Sequence, residues 1–455
     1  MSDVSMNVAE LSNSFSGRLL LPKDPEWNVP RHVHNGFVDK RPALIAQCRG
    51  SADIALAVRV ARDHGLAIAV RGGGHNVSGR STVDGGLMID LSPMKYVHVD
   101  APARTARAAG GTLWGHFNRE TQVHGLATTG GVVSTTGVAG LTLGGGLGWL
   151  MPKYGMSLDN LLGVEMVLAD GRVVRASADE HADLFWAARG GGGNFGVASS
   201  FEFRLHEVGP VVTGGLVAWP VDRARDVLHL YRDLASRATD DLMLVAALIT
   251  GPDAATKLVA IAAGWFGDAA SGEKAVKPIK SFGQPAMDAM GPIPFTQLNA
   301  MLDASYPAGA RNYWKSEFCE QLTDAAIDAI AESFLRCPSP MGQIVLEHFH
   351  GAATRHAPTD TAYALRSSGF NVLVLSQWKE RSGDDAGRGW ARDSHATLKQ
   401  FAGSGRYLNY LDLDDVGDQA LAAAYGPNLR RLQSIKAKYD PENVFRLNVN
   451  ILPKA

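Results

Sequence analysis

The sequence predicts an α+β protein of two units, a glycine-dense α/β half and an antiparallel sheet with helices on one side, closed by a C-terminal segment. Three observations predict it. The length of 455 residues is too great for one small core. Its 50 glycines exceed the usual share of about 7% and are concentrated between 72 and 196. Beyond 209 glycine thins out, and strand-like runs (243–250, 257–264, 342–350, 370–378) alternate with amphipathic helices (222–237, 322–336, 386–402). The expected units are therefore 1–208, 209–404 and 405–455.

Within the first unit, "SADIALAVRVARDHG" (51–65) reads as a helix that Ser51 can cap and Gly65 stops. "LAIAVR" (66–71) and "GLMIDL" (86–91) are short strands flanking the loop "VRGGGHNVSG" (70–79). Residues 112–125 read as a helix, whereas 126–148 is built of small residues and is neither helix nor strand over its length. "GVEMVLADGRVVRAS" (163–177) is a hairpin turned by Asp170-Gly171. The helix "DEHADLFWAARG" and the strand run "NFGVASSFEFRLHEV" complete the unit, and 405–455 ends in a short helix exit and an extended tail.

Composition excludes several classes. A net charge of −2 gives no electrostatic case for nucleic acid or an anionic membrane as partner. No apolar run reaches the roughly 18 residues of a membrane span. The start, "MSDVSMNVAELSNSF", does not read as a signal peptide, and Cys48, Cys319 and Cys337 are too few for a disulfide framework, so a cytoplasmic setting is expected.

Successive backbone N–H groups in glycine-rich turns form nests for anionic oxygens. Two such loops, 72–79 and 130–148, fall in one unit and are expected to grip a pyrophosphate and let a flat ring lie against main chain. A third cluster, "GGGGNFG", spells G-x-G-x-x-G at Gly191, Gly193 and Gly196, but a helix precedes it and a β-type run follows, the reverse of a nicotinamide-dinucleotide site. His348 and His350 share a strand face in "EHFH" without a third ligand at metal spacing, so no metal site is expected. His75, on the first glycine loop, is read as a neutral imidazole able to act as a nucleophile.

"VRGGGHNVSG", "STTGVAGLTLGGGLGWLMPKYG", "DLFWAARGGGGNFGV" and "YLNY…YDPENVFRLNVNI" together resemble the berberine-bridge-enzyme-like branch of the vanillyl-alcohol-oxidase-type flavoproteins. The resemblance covers about 30–208 and 405–453, and the middle unit more loosely. It implies a PCMH-type FAD-binding domain of two α/β subdomains, roofed by the α+β substrate domain. It also implies a covalent bond from His75 to the flavin, with cofactor contacts from Arg71, Gly72, Gly73, Gly74, Asn76, Val77, Ser78 and Gly79. The second loop contributes Gly131, Val133, Ser134, Thr136, Gly137, Gly140, Leu141, Gly144, Gly145, Gly146 and Gly148. Tyr154, Gly155, Asp159, Asn160, Gly196, Val197, Asn448 and Asn450 complete the implied set.

Departures from the family pattern narrow the reading. Val133 stands where many relatives carry a second, cysteine tether, so a single link through His75 is expected. Thr136 is smaller than the leucine or isoleucine associated with poor oxygen reactivity, which favours dioxygen as acceptor and peroxide as product. Tyr410 is the expected catalytic residue, accepting a substrate proton if a neighbour lowers its pKa from near 10 or if hydride loss drives the transfer. Strand alternation would put Leu408 and Tyr410 on one side, Tyr407 and Asn409 on the other. Tyr407, Asn409, His348, His350 and Gln377 are the expected substrate-binding residues, and Tyr313 and Trp314 are candidates for an aromatic wall.

The expected activity is oxidation of a small hydroxyl compound. Amine oxidation, a dehydrogenase with another acceptor and a non-catalytic flavin binder stand as alternatives, and a homo-oligomer is left open.

Overall fold

The structure is a computed structural model and describes residues 14–454 except 404 and 416. Three sheets carry it. In the first, β1 (Arg18–Leu20), β2 (Leu44–Gln47), β3 (Ile68–Arg71) and β4 (Leu87–Asp90) lie in the order β1-β2-β4-β3, with β4 parallel to both β2 and β3. Helix α1 (Ser51–Asp63) covers it through Ile54, Ala57, Val58 and Ala61, all fully buried. Ser51 does not cap this helix; its hydroxyl donates instead to Glu165 at 2.6 Å.

In the second sheet, β5 (Val97–Asp100), β6 (Thr105–Ala109), β7 (Leu161–Val167), β8 (Val173–Ser177) and β9 (Val197–Arg204) run antiparallel in the order β5-β6-β9-β7-β8. The β7–β8 hairpin turns at Asp170-Gly171 as expected, with Gly171 at φ 82°. Helices α2 (Trp114–Gln122), α3 (Val138–Leu143) and α4 (Ala182–Ala188) pack on this sheet around Trp114, Phe117, Leu184 and Phe201. The segment 126–148 is loop apart from α3 and a two-residue strand at Leu126–Ala127.

The third sheet has eight strands and belongs to the middle unit. Its strands are β10 (Val211–Pro220), β11 (Leu242–Thr250), β12 (Lys257–Trp265), β13 (Met287–Asp288), β14 (Gly291–Pro294), β15 (Arg311–Cys319), β16 (Gln343–Phe349) and β17 (Gly369–Trp378). They run β13-β10-β12-β11-β16-β17-β15, all antiparallel, with β14 also paired to β10. One face packs on helices at Ala224–Ala235, Ala269–Lys280, Asp324–Leu335 and Asp384–Leu398 through residues such as Leu244, Ile344, Leu346 and Val374. The other, through Val245, Trp314, Val345 and Leu373, packs on the first unit at Leu147, Trp149 and Met156. Both faces are dry. All ten residues of β17 are buried, the polar Asn371, Ser376 and Gln377 included.

Strands β10 and β15 and the helix Ala269–Lys280 were not singled out from sequence. In β15, Lys315 and Glu317 interrupt the apolar run, yet both are buried, facing Asp415 and His395 respectively. The C-terminal segment returns to the first unit and carries two helices, Gly417–Tyr425 and Leu429–Tyr439, more than the expected short exit. Lys436 anchors it: its fully buried ammonium donates to Asp440 (2.5 Å), to the Asn194 carbonyl (2.7 Å) and to the Phe445 carbonyl (2.9 Å).

Candidate active site

One cavity runs between the first unit, the C-terminal segment and the second face of the large sheet. The glycine loops form its floor. Gly73 and Gly137 approach so closely that a Cβ on either would lie 2.5 Å from the other's backbone. Only glycine at both positions lets the two loops meet, and their main chain is thereby turned to the cavity. Of the residues expected on the floor, Gly72, Gly73, Gly74, His75, Asn76, Val77, Gly131, Val133, Thr136, Gly137, Gly140, Leu141, Gly196 and Asn448 line it.

His75 is partly buried on its loop. Its ring stacks on His34 at 3.9 Å, and burial holds its pKa down to about 3. It is a neutral imidazole whose Nε2 is buried without a hydrogen-bond partner. A buried polar atom of this kind is costly unless something else completes it.

Several expected contacts lie elsewhere. Arg71 donates to the Pro30 carbonyl at 2.6 Å, Ser78 to the Asn76 side chain at 2.5 Å, and Gly79 turns beneath Val38. Ser134 bonds Asp303 through both its amide and its hydroxyl, tying the second loop to the middle unit. Gly144, Gly145, Gly146 and Gly148 make room for protein: added Cβ atoms there would strike Asn409, Tyr407, Ser157 and the Gly130 carbonyl. Tyr154 stacks on His206, the Gly155 carbonyl accepts from Thr129, and Asn160 bonds the Tyr154 and Met156 carbonyls. Asp159 forms a buried bidentate pair with Arg366 at 2.8 Å. Val197 sits in a strand core against Val167, and Asn450 lies beyond the lining. These residues shape the loops from behind.

The segment expected as a strand at 407–410 is a tight 3₁₀ turn over Leu408–Tyr410, so its side chains do not alternate. Tyr407, Asn409 and Tyr410 all face the cavity, with the two phenol rings edge to face at 4.8 Å. The Tyr407 hydroxyl accepts from the Gly146 and Leu147 amides (3.0 and 3.3 Å) and from Asn409 (2.9 Å). The Tyr410 hydroxyl donates to Glu347 Oε1 at 3.1 Å.

Glu347 was missed from sequence. It projects from β16, is 5% exposed, and its other oxygen accepts from Asn371 at 2.7 Å. Burial pushes its carboxyl up to about 7, against which the Asn371 and Tyr410 hydrogen bonds act. For Tyr410 the expected pKa-lowering neighbour does not exist: burial and then Glu347 raise its phenol well above the usual value. In the hydrogen bond between them Tyr410 is the donor and Glu347 the acceptor.

His348 and His350 turn to the opposite face, where their rings stack at 4.0 Å in a separate cleft beside Phe370. They do not reach the cavity. Gln377 is on the cavity side of β17 but beyond its end, donating to Asn312 at 3.1 Å. Trp314 lines the cavity, whereas Tyr313 points to the helices and bonds Asp414 and Arg392. The signal that could have found Glu347 is the lone carboxylate inside "IVLEHF".

Comparison with known proteins decides the family. Family models for an FAD binding domain and for a berberine and berberine-like segment match residues 42–177 and 406–452. (R)-6-hydroxynicotine oxidase of Paenarthrobacter nicotinovorans is 32% identical, over 97% of this chain and 98% of that one. The chain belongs to the berberine-bridge-enzyme-like FAD-linked oxidoreductases. The crystal structure of 6-hydroxy-D-nicotine oxidase from Arthrobacter nicotinovorans superposes on this oxidoreductase with a TM-score of 0.87 at 31% identity, covering 97% of this chain and 99% of that one. The glucooligosaccharide oxidase of Acremonium strictum, which carries 6-S-cysteinyl, 8α-N1-histidyl FAD, gives 0.87 at 29% identity, covering 99% of both.

This oxidoreductase is thus an FAD-dependent oxidase of a small organic substrate, with dioxygen as acceptor, in a family where FAD is held covalently. Its cavity fits that cofactor on its own evidence: crossed glycine loops presenting main chain, and an imidazole nitrogen without a partner. No helix among the described residues is long and apolar enough to cross a membrane.

Proposed function

We propose that the enzyme holds FAD through a single bond to His75 and oxidises a hydroxyl-bearing carbon, with the Tyr410–Glu347 pair taking the hydroxyl proton. When bound, FAD supplies a hydride acceptor that dioxygen reoxidises, so that R₂CH–OH and O₂ give R₂C=O and H₂O₂. The observation that carries the reading is the Tyr410–Glu347 hydrogen bond inside the cavity.

The chain's own groups divide the work. His75 is neutral, as a nucleophile must be, and His34 stacked against it fixes the ring plane. Val133 cannot form a second tether, and none of Cys48, Cys319 and Cys337 lines the cavity. Tyr410 presents its hydroxyl oxygen to the substrate hydroxyl while passing its own proton to Glu347. The anionic carboxylate is held by Asn371 and buried away from water. Tyr407, pinned by two backbone amides, keeps the Tyr410 ring in place edge to face. A carboxylate near neutral pKa is suited to this step at physiological pH. The same pair could take the proton of an ammonium, so amine oxidation is the second reading: among the described residues Glu347 is bonded to Asn371 and Tyr410 and paired with no cation.

The tether is tested by acid precipitation. The yellow colour is expected to stay in the protein pellet of the native enzyme and to pass into the supernatant for His75→Ala. Colour released equally from both would refute the link.

A further inference from the structure

We infer that the substrate is a compact, mostly apolar and aromatic molecule with a single polar function at the oxidised position, and that sugars are not substrates. This rests on the oxidase reading above and names the class of molecule that its site takes.

The inference comes from the roof of the cavity. Seven described side chains of the middle unit line it. Val245, Leu302, Val345 and Leu373 offer only methyl and methylene groups. Trp314 has one donor, and it is spent on Asn312 Oδ1 at 3.1 Å. That leaves Tyr306, whose hydroxyl donates to Gln343 Oε1 at 3.4 Å, and Glu347, which already accepts from Tyr410 and Asn371. The polar capacity of the roof is therefore gathered at one spot, beside Tyr410.

A sugar ring carries a hydroxyl on nearly every carbon. Each one brought under this roof would exchange water for a methyl group, at a cost of roughly tenfold in affinity. The aromatic groups point the other way. Trp314 stands edge to face with Tyr306 (6.2 Å) and with Tyr410 (6.0 Å), and Tyr410 with Tyr407. Tyr306, Trp314, Tyr410 and Tyr407 thus form a continuous aromatic cluster lining the cavity with Glu347, a surround suited to a planar apolar body. Leu302 and Tyr306, both half-buried, line the cavity from a segment that Asp303 fastens to Ser134. The glucooligosaccharide oxidase shares the fold. In this chain the side chains that meet the substrate are of a different kind from those an oligosaccharide requires.

The test titrates the native holoenzyme anaerobically with cinnamyl alcohol, 2-phenylpyrrolidine, D-glucose and maltose, reading the flavin absorbance. An aryl compound is expected to half-saturate the change at a concentration at least 100-fold below either sugar. Trp314→Ala is expected to raise the aryl half-saturation tenfold or more with flavin content unchanged, and Trp314→Phe to restore most of it. A sugar saturating at an equal or lower concentration than both aryl compounds overturns the inference, as does the absence of any spectral response to the aryl pair. An unchanged aryl half-saturation in Trp314→Ala would also overturn it. Failure of the oxidase reading shows differently, as saturable perturbation of the flavin band without bleaching.

Discussion

Replacing Glu347 by Gln is expected to slow substrate-driven flavin reduction by about 10²-fold or more, with FAD content unchanged. The amide keeps the shape and can still bond Asn371 and Tyr410, but it cannot take a proton. Rapid-mixing measurement of anaerobic flavin bleaching checks this directly. The native rate should climb with pH through about 7, because Glu347 must be ionised to accept, and Glu347→Gln should lose that limb. Tyr410→Phe separates relay from acceptor: it is expected to be slowed while retaining the rise through neutral pH, and a rate within twofold of native would remove Tyr410 from the reaction. The same carboxyl links stability to pH. Its folded pKa lies above the ordinary glutamate value of 4.5, so protonation stabilises the native state fully below about 4.5 and progressively less as pH rises through about 7. The loss amounts to roughly 3 kcal/mol. Glu347→Gln should flatten that part of the stability profile, measured by denaturant unfolding at pH 5 and pH 8.

Lys436→Met is expected to destabilise the protein by about 3–5 kcal/mol, because it leaves Asp440 buried without its cation. Asp440 would still accept from the Val444 and Phe445 amides, which limits but does not remove the cost. The Asn194 and Phe445 carbonyls would each lose a charged donor. The effect should reach the cavity, since Asn194 follows Gly193, whose carbonyl accepts from the lining residue Asn448. Denaturant unfolding should show the loss at equilibrium. Replacing Lys436 and Asp440 together by Met and Asn should cost less than Lys436→Met alone, because no unpaired charge is then buried.

The glycine loops and His75 could be read directly from sequence. Their requirement is local: a backbone that must come within touching distance of another backbone tolerates no Cβ, and this writes glycine into the chain at Gly73 and Gly137. The motif reading nevertheless extended too far along each loop. Gly144 and Gly145 are glycine because Asn409 and Tyr407 occupy the space, a contact spanning more than 260 residues that no local pattern contains. Likewise "YLNY" reads as a strand by composition, and only the turn imposed by its neighbours brings both tyrosines to one side.

By itself the sequence determined the class of fold, the cofactor loops, the histidine set among them and the lack of a cysteine opposite it. Tertiary structure alone decided which side chain stands against Tyr410. The large sheet is covered on both faces, so alternation along β16 separates Val345 and Glu347 from Leu346 and His348 without saying which pair meets the cavity. That choice is made by the first unit packing on one face and the helices on the other, and it placed Glu347, not His348, against Tyr410.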